Sequence, residues 1–149
     1  MIDKDDIRDL EETPTPGLSY NVMLHIGRRQ LLQGLSVICD SPLGYRRTYE
    51  RAARIAAETG AELVVVECVC PDPALWRGRI EARRALGLPA HHTIDWAAVE
   101  AYQRRTSAEG EFAIVHPHLV VDTRLPVWEL CERVVAWLLP DRLPTNVAK

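Results

Sequence analysis

Three acids stand at or just past the ends of short apolar runs: Asp5 after the opening Met-Ile, Asp40 at the close of LSVICD, and Asp122 at the close of HLVVD. Elsewhere the charge is arginine. Lys4 and Lys149 are the only lysines among eighteen Lys and Arg residues, and arginine's planar fork suits phosphate groups. Arg79 and Arg83 are one helical turn apart and share a face, as two arginines reaching toward one polyphosphate should. Arg46 and Arg47 are a basic pair on which a substrate could rest, although a pair at a helix start is ordinarily a solvated face. Position rather than number carries this signal, because a GC-rich genome enriches Arg and Ala together.

Other reactive types point less far. Cys39, Cys68, Cys70 and Cys131 each lie inside an apolar run and read as core thiols. Cys68 and Cys70 with His91, His92, His116 or His118 have the right ligand types for zinc, but no spacing among them matches a known zinc frame. His116-Pro117-His118 reads as a turn entering a strand. Trp76, Trp96, Trp128 and Trp137 occupy helical positions and read as core or rim packing rather than stacking platforms.

The elements that must position these groups alternate. Residues 19–33 carry Tyr20, Met23, Leu24, Gly27 and Leu31 at helical spacing, with Gly34 as the stop. LSVICD, 35–40, reads as a buried strand followed by the tight loop SPLG. Residues 45–59 form a second helix ending at Gly60, with Tyr49, Ala52, Ala53, Ile55 and Ala56 on one face. ELVVVECV, 62–69, is apolar on successive positions, which predicts a strand covered on both faces. Pro73 opens a helix to about Ala85 that Trp76 and Ile80 anchor, and Asp95 caps another to about Arg105. His118 to Asp122 is a last strand, and Val127 to Leu138 a last helix with a stripe of Val127, Leu130, Cys131, Val134 and Leu138. Residues 87–93 read as loose, and 140–149 as a frayed tail following a domain over 1–139.

Strands alternating with helices imply an α/β fold with a mostly parallel sheet between two helical layers. Its site lies beyond the carboxyl ends of the strands, where the acids stand. The length of 149 residues suits one core. The net charge of -3 argues against coating a polyanion. No apolar run reaches a membrane span and the acidic start is unlike a secretion signal, so a cytoplasmic protein is expected.

IDKDDIRD, then LLQGLSVICDSPL, then RAARIAAETGAELVVVECVCPDPALWRGRIEARR, and finally HLVVDT together resemble the P-loop kinase-like ATP-binding proteins. These are the AAA-type ATPase and phosphotransferase group that includes polynucleotide kinase-like and zeta-toxin-like enzymes. The resemblance runs from Ile2 to about Leu139. It implies a three-layer P-loop NTPase-like sandwich and transfer of the ATP γ-phosphate, with Mg²⁺, to a hydroxyl of a small molecule, a nucleoside or a nucleic-acid end. Family members begin with a strand, the phosphate loop G-x-x-x-x-G-K-[ST] and a helix, and no such motif occurs in this sequence. The resemblance therefore implies an N-terminally truncated form. Met1 stands where the family strand often carries valine, and the valine codon GTG is also a bacterial start codon, so a start assigned too late is expected.

By the same resemblance, Asp5 and Arg8 match the family's D-x-x-R, in which the acid takes the proton of the acceptor hydroxyl and the arginine holds acceptor phosphate or carboxylate. Asp40 matches the acid that orients Mg²⁺ or its waters. Arg46 is a further acceptor contact, Arg79 and Arg83 match lid arginines that close over ATP, and Asp122-Thr123 neighbours adenine. The plainer accounts are that Asp5 or Asp6 caps a helix and that Asp40 caps SPLG. The family's missing strand lies between those matching 35–40 and 62–69, which leaves exposed edges unless these two pair with each other. The chain alone is then expected to bind ATP feebly and to catalyse nothing. A second expectation belongs to another class: a degenerate, non-catalytic remnant that persists as a binding or dimerisation module, with a second copy or a partner covering those edges.

Overall fold

A computed structural model of the chain describes residues 1–8, 10, 15, 17–86, 95–108 and 110–139. Its elements are β1 (Ile2–Asp3), α1 (Lys4–Arg8), α2 (Leu18–Leu31), β2 (Cys39–Asp40), α3 (Arg46–Thr59), β3 (Val65–Val69), α4 (Pro73–Ala85), α5 (Trp96–Ala108), β4 (His118–Asp122) and α6 (Val127–Leu138). The fold is mixed helix and strand, with two parallel two-stranded sheets: β1 pairs with β2, and β3 with β4. Contacts sort the chain into two compact units. One comprises Met1–Leu63 with Arg79–Ala113, the other Val64–Gly78 with the residues from Ile114 onward.

The first unit is organised by α2. Met23, Leu24 and Gly27 recur at helical spacing and all three are buried, Met23 to 1% exposure. Gly27 faces the sheet so closely that a Cβ there would lie 3.4 Å from Cys39 Sγ and 3.7 Å from Val37 Cγ1. The helix α3 buries Tyr49 and Ala56 and ends at Gly60, whose left-handed φ of 69° closes the last turn onto the Ala56 and Ala57 carbonyls. Arg28 and Glu58 pair at 3.3 Å between α2 and α3, and Tyr49 packs on Phe112 with ring centroids 5.6 Å apart. Asp95 caps α5 as expected, its Oδ1 accepting from the Ala98 N–H at 2.8 Å.

In the second unit β3 and β4 run in register over five pairs, Val65↔His118 through Val69↔Asp122. Thr123 continues the ladder by donating its N–H to the Val69 carbonyl at 2.8 Å. Asp72 caps α4 through Oδ1, which accepts from the Ala74 and Leu75 N–H groups at 3.0 Å each, with Pro73 at the tolerated first position.

Five expectations need correction. The strand predicted over 35–40 is only Cys39–Asp40, because β1 offers just Ile2 and Asp3 as partners before α1 begins; residues 35–38 form no strand, Leu35 donating its N–H back to the Gln30 carbonyl and Ile38 accepting from the Ile2 N–H. The strand predicted over 62–69 starts at Val65, where its partner β4 begins. Both-face coverage is likewise incomplete: Glu67, Cys68 and Val120 are exposed. Cys39, Cys68 and Cys131 are accordingly exposed and Cys70 half-buried, so these are not core thiols. Finally, the α6 stripe buries no residue fully, and Val127 and Trp128 at its start are 75% and 64% exposed. The expected loose segment 87–93 and tail 140–149 lie outside the described residues.

The close approach at Gly27 predicts a graded response. Gly27→Ala should be neutral to about 1 kcal/mol more stable, because its Cβ meets ordinary contact distances and alanine is the better helix former. Gly27→Leu should lose about 1–3 kcal/mol through overpacking. Met23→Ala should cost about 2–5 kcal/mol. Urea unfolding midpoints read all three.

Candidate functional site

The parallel register of β1 and β2 places Asp3 beside Asp40 at the carboxyl end of their sheet, and α1 begins at once with Lys4 and Asp5. The cap falls on Asp3 rather than on Asp5 or Asp6: Asp3 Oδ1 accepts from the Asp5 N–H at 2.7 Å. That frees the Asp5 side chain for other contacts. It is buried, ion-paired with the equally buried Lys4, and 3.1 Å from Arg8 Nη1 one turn on. Asp5 and Arg8, singled out by the sequence, are thus together, and Lys4 is the residue the sequence reading missed. Lys4 Nζ also lies 5.6 Å from the centroid of the Tyr20 ring. A buried ammonium needs such company, since charge without a partner is costly to desolvate.

Asp40 is exposed, and among the described residues its carboxylate accepts no hydrogen bond from the SPLG loop, so the capping account of it finds no support. The loop is held instead by tyrosines. Tyr20 on α2 donates its hydroxyl to the Pro42 carbonyl at 2.9 Å, and the Tyr102 hydroxyl on α5 lies 3.5 Å from the same oxygen. Tyr45 packs edge-on against Tyr102 with centroids 6.0 Å apart. Burial pushes the Tyr20 hydroxyl well above its ordinary pKa, and the neighbouring Tyr102, Tyr45 and Asp5 push it the same way. Burial likewise raises Tyr102, with Tyr45 adding to it and the Gly44 backbone and Tyr20 opposing. Arg46 opens α3 on the far side of this loop, exposed, with its guanidinium 5.9 Å from the Phe112 ring; Arg47 lies 5.8 Å from the Tyr45 ring.

Arg79 and Arg83 sit four residues apart on α4, Arg79 half-buried and Arg83 exposed. Asp122 closes β4 and is bound by Arg124, whose Nη2 is 2.6 Å from Asp122 Oδ2; that hydrogen bond, with one from the Arg124 N–H, lowers the carboxyl pKa. His118 Nε2 stands 3.0 Å from Glu67 Oε2 across the β3–β4 pair. Among the described residues no three His, Cys, Asp or Glu side chains are close enough to hold a metal ion, so Asp40 would have to bind Mg²⁺ with help from a ligand or from elsewhere. Among the described residues no helix is long and apolar enough to cross a membrane.

The arrangement assembled here is acid and base in contact: a strand-end carboxylate (Asp40), a buried carboxylate between an ammonium and a guanidinium (Asp5, Lys4, Arg8), and a loop pinned by phenols. The only lysine at the start of an arginine-rich chain is the one sequence signal that pointed to Lys4; nothing in the spacing of Tyr20, Tyr45 and Tyr102 marked them as neighbours. Comparison with protein-family models, with curated proteins and with solved structures finds no match.

Two outcomes follow. Asp5→Ala leaves the buried Lys4 ammonium unpaired and should lose about 3–5 kcal/mol, read by urea unfolding. Because folding raises the Tyr20 pKa, its contribution to stability is complete below the unfolded value of about 10 and is lost as pH rises past it. The unfolding midpoint should therefore fall between about pH 10 and 12, with Tyr20→Phe falling less steeply; absorbance of the phenolate reports the titration directly.

Proposed function

We propose that this chain carries the acceptor-side and lid-side parts of a P-loop kinase-like phosphotransferase, with the phosphate cradle supplied by a segment that these 149 residues do not contain. The observation that supports this most is the strand pairing. In the family a central strand bearing the phosphate loop lies between the strands matching 35–40 and 62–69. Here β2 and β3 do not pair with each other; each belongs to its own parallel pair, and each has one edge without a strand partner among the described residues. Parallel sheets of two strands are marginal by themselves, so each has an edge that an added parallel strand would extend.

In this assignment Asp5 orients the acceptor hydroxyl, Arg8 and Arg46 hold acceptor phosphate or carboxylate, Asp40 orients Mg²⁺, and Arg79 and Arg83 close over ATP. Phosphoryl transfer asks mainly for positioning and charge stabilisation, which a carboxylate flanked by cations and a pair of lid arginines can give. Successive backbone N–H groups around the phosphates are the missing part. The substrate class is a hydroxyl-bearing small molecule, nucleoside or nucleic-acid end, and the setting is the cytoplasm. A fully covered three-layer sandwich is the finished form of the fold.

A second reading, a non-catalytic binding or dimerisation module, is favoured by the apolar residues left in the open beside the strand edges, Leu35 and Ile38 above all, with Ile38 65% exposed. Two measurements separate them. Calorimetry of the 149-residue chain with Mg-ATP should show no saturable binding below about 100 µM; tight binding would mean the chain holds a cradle of its own. The DNA upstream of the Met1 codon should then encode G-x-x-x-x-G-K-[ST] in frame, and the extended protein should transfer phosphate, with the exposed, stability-neutral Asp40→Asn lowering the rate by at least about 100-fold. An extended protein inert toward ATP, or a short chain that sediments as a dimer with no such frame upstream, leaves the module reading.

A further inference from the structure

We propose that Tyr20 and Tyr102 form a clamp on the 41–45 loop that fixes Asp40 before it and Arg46 after it, with α5 as the strap that carries one jaw. This rests on the assignment of Asp40 and Arg46 to the site. A carbonyl oxygen has two lone pairs, and the Pro42 carbonyl faces two phenols, at 2.9 Å and 3.5 Å. Gly44 lies so tightly on α5 that a Cβ there would come within 2.6 Å of Thr106 Cγ2 and 2.9 Å of Tyr102 Cζ.

Neither end of the loop is strongly held by its own element. The β1–β2 ladder has only two residue pairs, and Tyr45, the N-cap residue of α3, gives that helix no side-chain cap. The phenols, from two helices distant in sequence, supply what those ends lack. The rings themselves are not free platforms, since Lys4 lies over Tyr20 and Arg47 over Tyr45; the hydroxyls are the working groups.

The test uses the 149-residue chain. Tyr20→Phe and Tyr102→Phe keep the rings and remove one hydroxyl each. Trypsin cleavage after the exposed Arg46 and Arg47 should speed up about five-fold, the equivalent of one net hydrogen bond. Cleavage after Arg83 and Arg84 on α4 should not change. In amide spectra the Asp40 and Arg46 signals should move while those of Met23 and Leu24 stay. Gly44→Ala, whose Cβ would fall on the Tyr102 hydroxyl and on Thr106 and so force the loop and that phenol apart, should reproduce the same local pattern. Unchanged cleavage at Arg46 and Arg47 in all three variants, or acceleration at every site together, overturns the clamp. An extended protein inert toward ATP would remove the phosphotransferase assignment and leave these local effects standing, so the two fail separately.

Discussion

Gly27 allows α2 to lie against β1 and β2 at a distance that a long side chain would forbid, with Cys39, Val37 and Ile2 all within van der Waals reach of where a Cβ would be. The same helix face carries Met23 and Leu24 into the core and, one turn earlier, sends Tyr20 toward the loop after Asp40. Its neighbour α3 is tied on by Arg28–Glu58 and by Arg51 to Asn21. Helix α2 is therefore both the wall behind the strand-end acids and the support for the loop beside them. Two residues of β1 could not hold Asp3 and Asp40 in register by two ladder pairs alone.

The charge arrangement follows from that packing. Lys4 and Asp5 are consecutive, yet both are buried, because α1 is pressed onto α2 over its short length. Burying either alone would be expensive; burying them in contact, with Arg8 as a third member, keeps the carboxylate and the ammonium mutually satisfied. Such a group gives modest stability relative to an apolar replacement.

Much of the element plan could be read from single residues with a mechanism. Gly60 stops α3, Asp72 with Pro73 starts α4, Asp95 starts α5, and HLVVD and the segment from Val127 to Leu138 have the predicted bounds. These signals are local: a left-handed glycine or a capping carboxylate acts within four residues. The strand lengths were not legible, because a ladder is as long as its partner, and the partners of β2 and β3 are set by pairing rather than by their own apolar runs. For the same reason Cys39 and Cys68, read as core thiols from their apolar surroundings, are exposed: among the described residues each sheet has two strands, and their outer faces lack the cover that the apolar pattern anticipates.

Of the candidate site, residue types and spacing alone pointed to the strand-end acids and the Arg79–Arg83 turn, since one helical turn or one strand end is enough to bring such groups into relation, whereas Asp5 with Arg8 was marked by the family resemblance. Which partners those groups keep was decided by tertiary structure. Lys4 turns inward onto Asp5, the cap passes to Asp3, and Tyr20 and Tyr102 converge on the 41–45 loop, whose own Tyr45 packs against Tyr102. Contacts among residues 20 to 80 positions apart depend on how helices pack, and no periodicity of fewer than four residues can encode that.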